Sequence, residues 1–419
     1  MSSEFEQYLE KYVEVILKIG LNLQKGQRLI IFSADFASFP LEVAPFIEVI
    51  VKKAYQIGAR FVEVVWDDPQ LHLIRLQNAP QGSFEEYPQW RRDALLDFAE
   101  KGDAILGIFS ANPDLFKDQD PELISILRTT RLKYNKPFSA LISKHAVNWL
   151  AISAPIASWA DKVFPDLPSD KRKAKLWDTI FDLCRIKEKD PISAWRLHIK
   201  QLHARKDYLN NKQYKALKLK SLGTELTLGL PKSHIWHGGS VKTQSGIEFT
   251  ANLPTEEIYT LPHKDKTEGV VTATKPLYLS GSYIEDFKLV FSEGKVREAT
   301  AVVGQEHLDR FIKIDDGTSR LGEIALVPHS SPISQSGLLL YNRLYDENAS
   351  CHVALGKAYR PCLKNGENMS DEEFMAAGGN NSIAHIDFII GSGEMDVDGI
   401  TKDSKVESIM RKGEWAFEV

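Results

Sequence analysis

The sequence predicts an α/β protein with two domains: an N-terminal α/β domain whose mostly parallel sheet is flanked by helices, and a sheet-rich α+β C-terminal domain. Three observations carry this expectation. The chain has 419 residues, more than one core usually holds, so two domains of about 200 residues each are expected. Helical periods alternate with short, continuous apolar runs through the first 150 residues. Beyond Tyr214 the texture changes to β-branched residues, glycine and short turns. A boundary near residue 205 divides the chain into 1–205 and 206–419.

The N-terminal elements follow in order. From Tyr8 to Leu23 the helical period puts Leu9, Tyr12, Val13, Ile16 and Leu17 on one face, and Lys25-Gly26-Gln27 breaks it. Arg28–Ser33 is a short apolar run, as expected of a strand covered on both faces. Leu41–Ile57 is helical in period, with Gly58 suited to its C-terminal cap, and Arg60–Trp66 is the next strand, completing a βαβ unit. A helix at Arg91–Lys101, a strand at Asp103–Phe109 and a fourth strand at Phe138–Ile142 extend the parallel sheet. No glycine-rich turn follows any of these strands, which argues against a dinucleotide or P-loop site. Asp190–Asn210 reads as a helix. Ala216–Leu219, Glu225–Leu228, Gly269–Ala273, Phe287–Phe291 and Ile383–Ile390 read as strands of the second domain.

Composition narrows the function. With a net charge of -5 and scattered basic residues, no strong field for nucleic acid or anionic lipid is expected. The densest basic run, Lys171, Arg172, Lys173 and Lys175, reads as a solvated helix face. Three cysteines, Cys184, Cys351 and Cys362, make no disulfide framework and no zinc-thiolate spacing, so a reducing, cytoplasmic setting is expected. Met1–Glu10 carries three glutamates and no apolar core, unlike a signal peptide. No apolar stretch approaches the roughly 18 residues of a membrane span.

With no zinc-thiolate spacing, any metal here is expected to be held mainly by oxygen and imidazole. No HExxH occurs among the eleven histidines. In Ser382–Gly391, a strand by composition, period two sends Ile383, His385, Asp387 and Ile389 to one face. A histidine and a carboxylate on an otherwise apolar strand are costly to bury unless a divalent cation or a mutual hydrogen bond at a sheet edge compensates. Tyr341–Tyr359 gathers Asp346, Glu347, His352 and Tyr359 among small residues, and the alternative there is a polar loop leading into a helix. Glu257 and Glu323 stand where apolar strands begin, and strand-end charges are commonly exposed. Taken jointly, Glu257, Glu323, His352, His385 and Asp387 supply the carboxylates and imidazoles that a dinuclear hydrolytic site needs.

Several segments in one order resemble the thermophilic-type metallo-aminopeptidases, the family of aminopeptidase T, aminopeptidase S and aminopeptidase PepS. They are Gly20–Arg28, Gly223–Thr227, Asn252–Glu257, Leu321–Glu323, Asp346–His352, Ala354–Gly356 with Tyr359, His385–Asp387 and Gly413–Trp415. The resemblance covers essentially the whole chain. It implies metal-ligand roles for Glu257, Glu323, His352, His385 and Asp387, with Glu347 a further ligand candidate. It also implies a reaction-centre role for Tyr359, whose phenol would donate to the oxyanion of the tetrahedral intermediate.

The implied activity is release of N-terminal amino acids from short peptides, using two divalent ions (zinc, cobalt or manganese) and a carboxylate, Glu323 or Glu347, as proton carrier. The resemblance further implies a homodimer enclosing the active sites. Two rival readings are a dinuclear amidohydrolase or deacylase acting on non-peptide amides, and a non-catalytic ligand-binding relative.

Overall fold

The computed structural model describes residues 3–279 and 282–419, so Met1 and Ser2 of the acidic start lie outside the described residues. The chain divides into two compact units. One takes the chain as far as His198 and adds Ser240–Pro254 and Leu339–Leu344; the other comprises Ile199–Gly239, Thr255–Leu338 and Tyr345–Val419.

The first unit holds a parallel four-stranded sheet in the order Phe61–Val64, Arg28–Ser33, Ala104–Ile108, Trp149–Ile152. Ala104–Ile108 is buried at every position, as a central strand between two helical layers must be. Ile30 and Ile105 pack against Leu95 and Phe98 of the Gln89–Glu100 helix. The predicted fourth strand at Phe138–Ile142 is instead the end of a long helix, Pro121–Ser143. Phe138, Leu141 and Ile142 fall at helical spacing and pack on the same core, so their apolar run is one face of a helix. The true fourth strand is four residues long and begins at Trp149.

The second unit is built mainly from two antiparallel sheets. Eight strands run in the order Lys295–Thr300, Lys288–Ser292, Thr267–Thr272, Thr224–Gly229, Ala216–Ser221, Asp396–Ile400, Val406–Arg411, Glu414–Trp415. The five-stranded sheet runs His385–Ile389, His352–Gly356, Leu321–Leu326, Ile258–Thr260, His237–Gly238. One core contains Leu217, Leu226, Val271, Leu289 and Val397 from the larger sheet and Ile258, Ile324, Leu326, Val353, Leu355 and Phe388 from the smaller. The smaller sheet therefore commits one face to the core and presents its other face elsewhere, and that other face carries the polar residues.

No helix among the described residues is long and apolar enough to cross a membrane.

Candidate metal centre

Strand parity places the candidate ligands. In His385–Ile389, Ile386 and Phe388 pack on the core, so His385 and Asp387 project from the opposite face. In His352–Gly356, Val353 and Leu355 are core and His352 shares the face of His385. That segment is thus a strand rather than the start of a helix. Ile258 enters the core while its neighbours Glu257 and Tyr259 point the other way.

Glu323 needs a device. Leu321 and Glu323 have the same parity, yet Leu321 is core and Glu323 is not. A register shift between them inserts an extra residue, Gly322, and turns Glu323 to the polar face. Only glycine fits at 322, because a Cβ there would lie 2.3 Å from the Gly356 carbonyl oxygen and 2.6 Å from that of Lys357.

Across this face Asp387, Ala354 and Glu323 lie in register. Gly356 pairs with His385 and Ala325 with His352, so small residues leave room between the polar ones.

Five side chains converge into two groups that share Glu323. Glu257, Glu323 and His352 form the inner group, and Glu323, His385 and Asp387 the outer one; within each group the potential ligand atoms lie within 4.8 Å of one another. His352 Nε2 is 3.2 Å from Glu257 Oε2 and 3.9 Å from Glu323 Oε1. His385 Nε2 is 3.1 Å from Asp387 Oδ1 and 3.6 Å from Glu323 Oε2. The two oxygens of one carboxylate thus face different groups.

Each imidazole is oriented from behind. His385 Nδ1 donates to the Lys357 carbonyl at 2.7 Å and His352 Nδ1 to that of Ser350 at 3.1 Å. A carbonyl only accepts, so the proton sits on Nδ1 and neutral Nε2 presents its lone pair to the carboxylates. Lone pair against carboxylate is repulsive unless a proton or a cation stands between. Without a cation, protons fill that role. Burial lowers the affinity of His352 for its proton, but Glu257, Asp387 and Glu323 outweigh it and lift the pKa to about 10. Against the same burial, Asp387 and Glu323 lift His385 to about 9. Burial and the charge of Asp387 push Glu323 up to about 8.

The residues fit divalent cations on a further count. Glu323 Oε2 is buried and has no hydrogen-bond partner, and an unpaired buried carboxylate oxygen is a costly feature that a cation would satisfy.

Two other residues predicted for the site stand differently. Glu347 is half-buried in the short Glu347–Ala349 turn and belongs to neither group; the turn lies beside the strand of His385 and Asp387. Tyr359 follows the His352 strand, is 42% exposed, and holds its ring 4.9 Å from that of His385. The hydrogen bond between His385 and Asp387 also exists at a sheet edge, but Glu323 beside it makes the pair part of a larger cluster.

Sequence reasoning passed over Asn348 and Tyr259. Buried Asn348 accepts the Glu256 N–H through Oδ1 at 2.8 Å and so fixes the backbone next to Glu257. Tyr259, two residues after Glu257, shares its face by period two, and that spacing was the available signal.

The chain belongs to the thermophilic metalloprotease family (M29), which matches residues 5–415. It is accordingly a hydrolase of the metal-dependent peptidase class. It is 45% identical over 417 residues to Aminopeptidase 2 of Geobacillus stearothermophilus, covering 100% of both chains. It is 41% identical over 413 residues to Aminopeptidase AmpS of Bacillus subtilis, covering 99% of each. Among solved structures, wild-type AmpT from Thermus thermophilus superimposes with a TM-score of 0.92 at 36% identity, covering 99% of this chain and 100% of that one.

Proposed function

We infer that the protein is a metallo-aminopeptidase that releases N-terminal amino acids from short peptides with two divalent cations, zinc, cobalt or manganese. Glu257, Glu323 and His352 would hold one cation, and Glu323, His385 and Asp387 the other. The observation that carries this reading is the position of Glu323, whose two oxygens face two separate ligand groups. Two cations held side by side would repel each other, and a carboxylate offered to both would offset the repulsion.

Charge supports the same count. With neutral imidazoles the three carboxylates carry three negative charges, which two divalent ions reverse to a single positive one. Bound cations of this kind supply Lewis acidity and make hydroxide available near neutral pH.

The remaining roles fall to the chain's own groups. Tyr359, its ring beside that of His385, donates its phenolic proton toward the oxyanion that develops on the scissile carbonyl. Both oxygens of Glu323 are committed to the two groups, so Glu347 is the carboxylate left to accept the water's proton and return it to the leaving amine. The substrate's free amine would need an anionic or metal anchor, which would account for exopeptidase specificity. A homodimer enclosing the sites would restrict substrates to short peptides, in keeping with a cytoplasmic role in peptide turnover.

The test is hydrolysis of amino-acid arylamides by the purified protein, before and after chelation and on return of each metal. Activity lost with the metal and regained on its return supports the reading. Preference for acylated amines over substrates with a free N-terminus would contradict it.

A further inference from the structure

The site face continues past the ligands. Tyr259 holds its ring 6.0 Å from Tyr359 and 5.9 Å from His237, and Tyr359 in turn lies 4.9 Å from His385. Four rings thus run in a string along one side of the ligand groups. The far end is fixed, since His237 Nε2 donates to the Pro361 carbonyl at 2.9 Å. Register explains the string: Tyr259 pairs with Ala325 on one side and His237 on the other, and Ala325 pairs with His352.

Tyr259 differs from its neighbours in one respect. Its ring packs against the small core of Leu261, Ala358 and Cys362, yet its hydroxyl makes no hydrogen bond among the described residues. Nor does that oxygen belong with the fully enclosed unpaired groups, so it reaches open space. Polar tips of half-buried tyrosines usually find a partner.

We propose that Tyr259 is a second substrate-contacting phenol, which holds the main chain of the bound peptide by a hydrogen bond while its ring, with His237, walls the site. The proposal rests on the aminopeptidase reading. It differs from the role of Tyr359, because a donor that holds the ground state and the transition state alike acts on binding rather than on turnover.

Tyr259→Phe tests this cleanly. The hydroxyl has no partner in the protein to lose, so the variant should keep the wild-type Tm and metal content. KM for a leucine arylamide should rise about tenfold or more, with kcat little changed. By calorimetry, Kd for leucine phosphonic acid, an unreactive analogue, should rise by a similar factor. KM and Kd within twofold of wild type would overturn the proposal while leaving the aminopeptidase reading intact. An analogue that fails to bind the metal-loaded wild type would overturn both.

Discussion

The two ligand groups differ in how far water reaches them. In the inner group the side chains of His352, Glu323 and Glu257 are 1%, 5% and 10% exposed; in the outer group His385 and Asp387 are 16% and 10% exposed, on an edge strand. His352 lies on an internal strand of the same sheet. The contrast shows how one sheet face can offer unequal positions from similar ligands. Buried ligands are better preorganised and lose more when a partner is removed. The inner position should hold its cation the more tightly of the two.

The sharpest way to break the comparison is to delete one imidazole at a time. Both His352→Ala and His385→Ala should lower kcat/KM by at least about 10³-fold, as expected when a site that works as a unit loses a member. They should separate in metal-free stability. His352→Ala leaves Glu257 and Glu323 buried without their partner and should cost about 3–5 kcal/mol in denaturant unfolding. His385→Ala should cost clearly less, because His385 is itself more exposed and its strand lies at the sheet edge, where water can reach the carboxylates left behind. Equal losses would erase the inner–outer distinction.

A smaller effect is expected at the rim. Tyr359→Phe should reduce kcat by about 10²–10³-fold with both cations retained, as measured by kinetics and metal analysis on one preparation. Loss of metal in this variant would make Tyr359 part of the ligand scaffold instead.

The electrostatics give a further handle. Without cations, His352, His385 and Glu323 titrate at about 10, 9 and 8, so all three are largely protonated at pH 7. Cations must displace those protons, and affinity should therefore rise with pH from 7 toward 10. Calorimetry at pH 7 in buffers of different ionisation enthalpy should register release approaching three protons per chain. A pH-independent affinity would contradict the arrangement.

The legibility of the sequence follows the same divide. His385 and Asp387 could be read because their strand is regular and period two holds from His385 to Ile389, although Ile383 lies before the strand and is exposed. Glu323 could not be placed by parity, since the irregularity at Gly322 reverses the face and depends on a close approach of the Gly356 and Lys357 carbonyls. Glu257 precedes a strand of three residues, too short to show a period. The alternation of elements gave the α/β architecture, but Phe138–Ile142 misled because a five-residue apolar run fits a strand or a helix face equally well. His237 lies in a two-residue strand whose partner, Tyr259, is distant in sequence, so no local period marks it.

The shared role of Glu323 is tested most directly by counting tightly bound metal ions per chain in the wild type and in Glu323→Gln. Two ions in the wild type, with neither held tightly in the variant, is the expected result. One ion in the wild type, or both retained in Glu323→Gln, would contradict a centre built around that carboxylate.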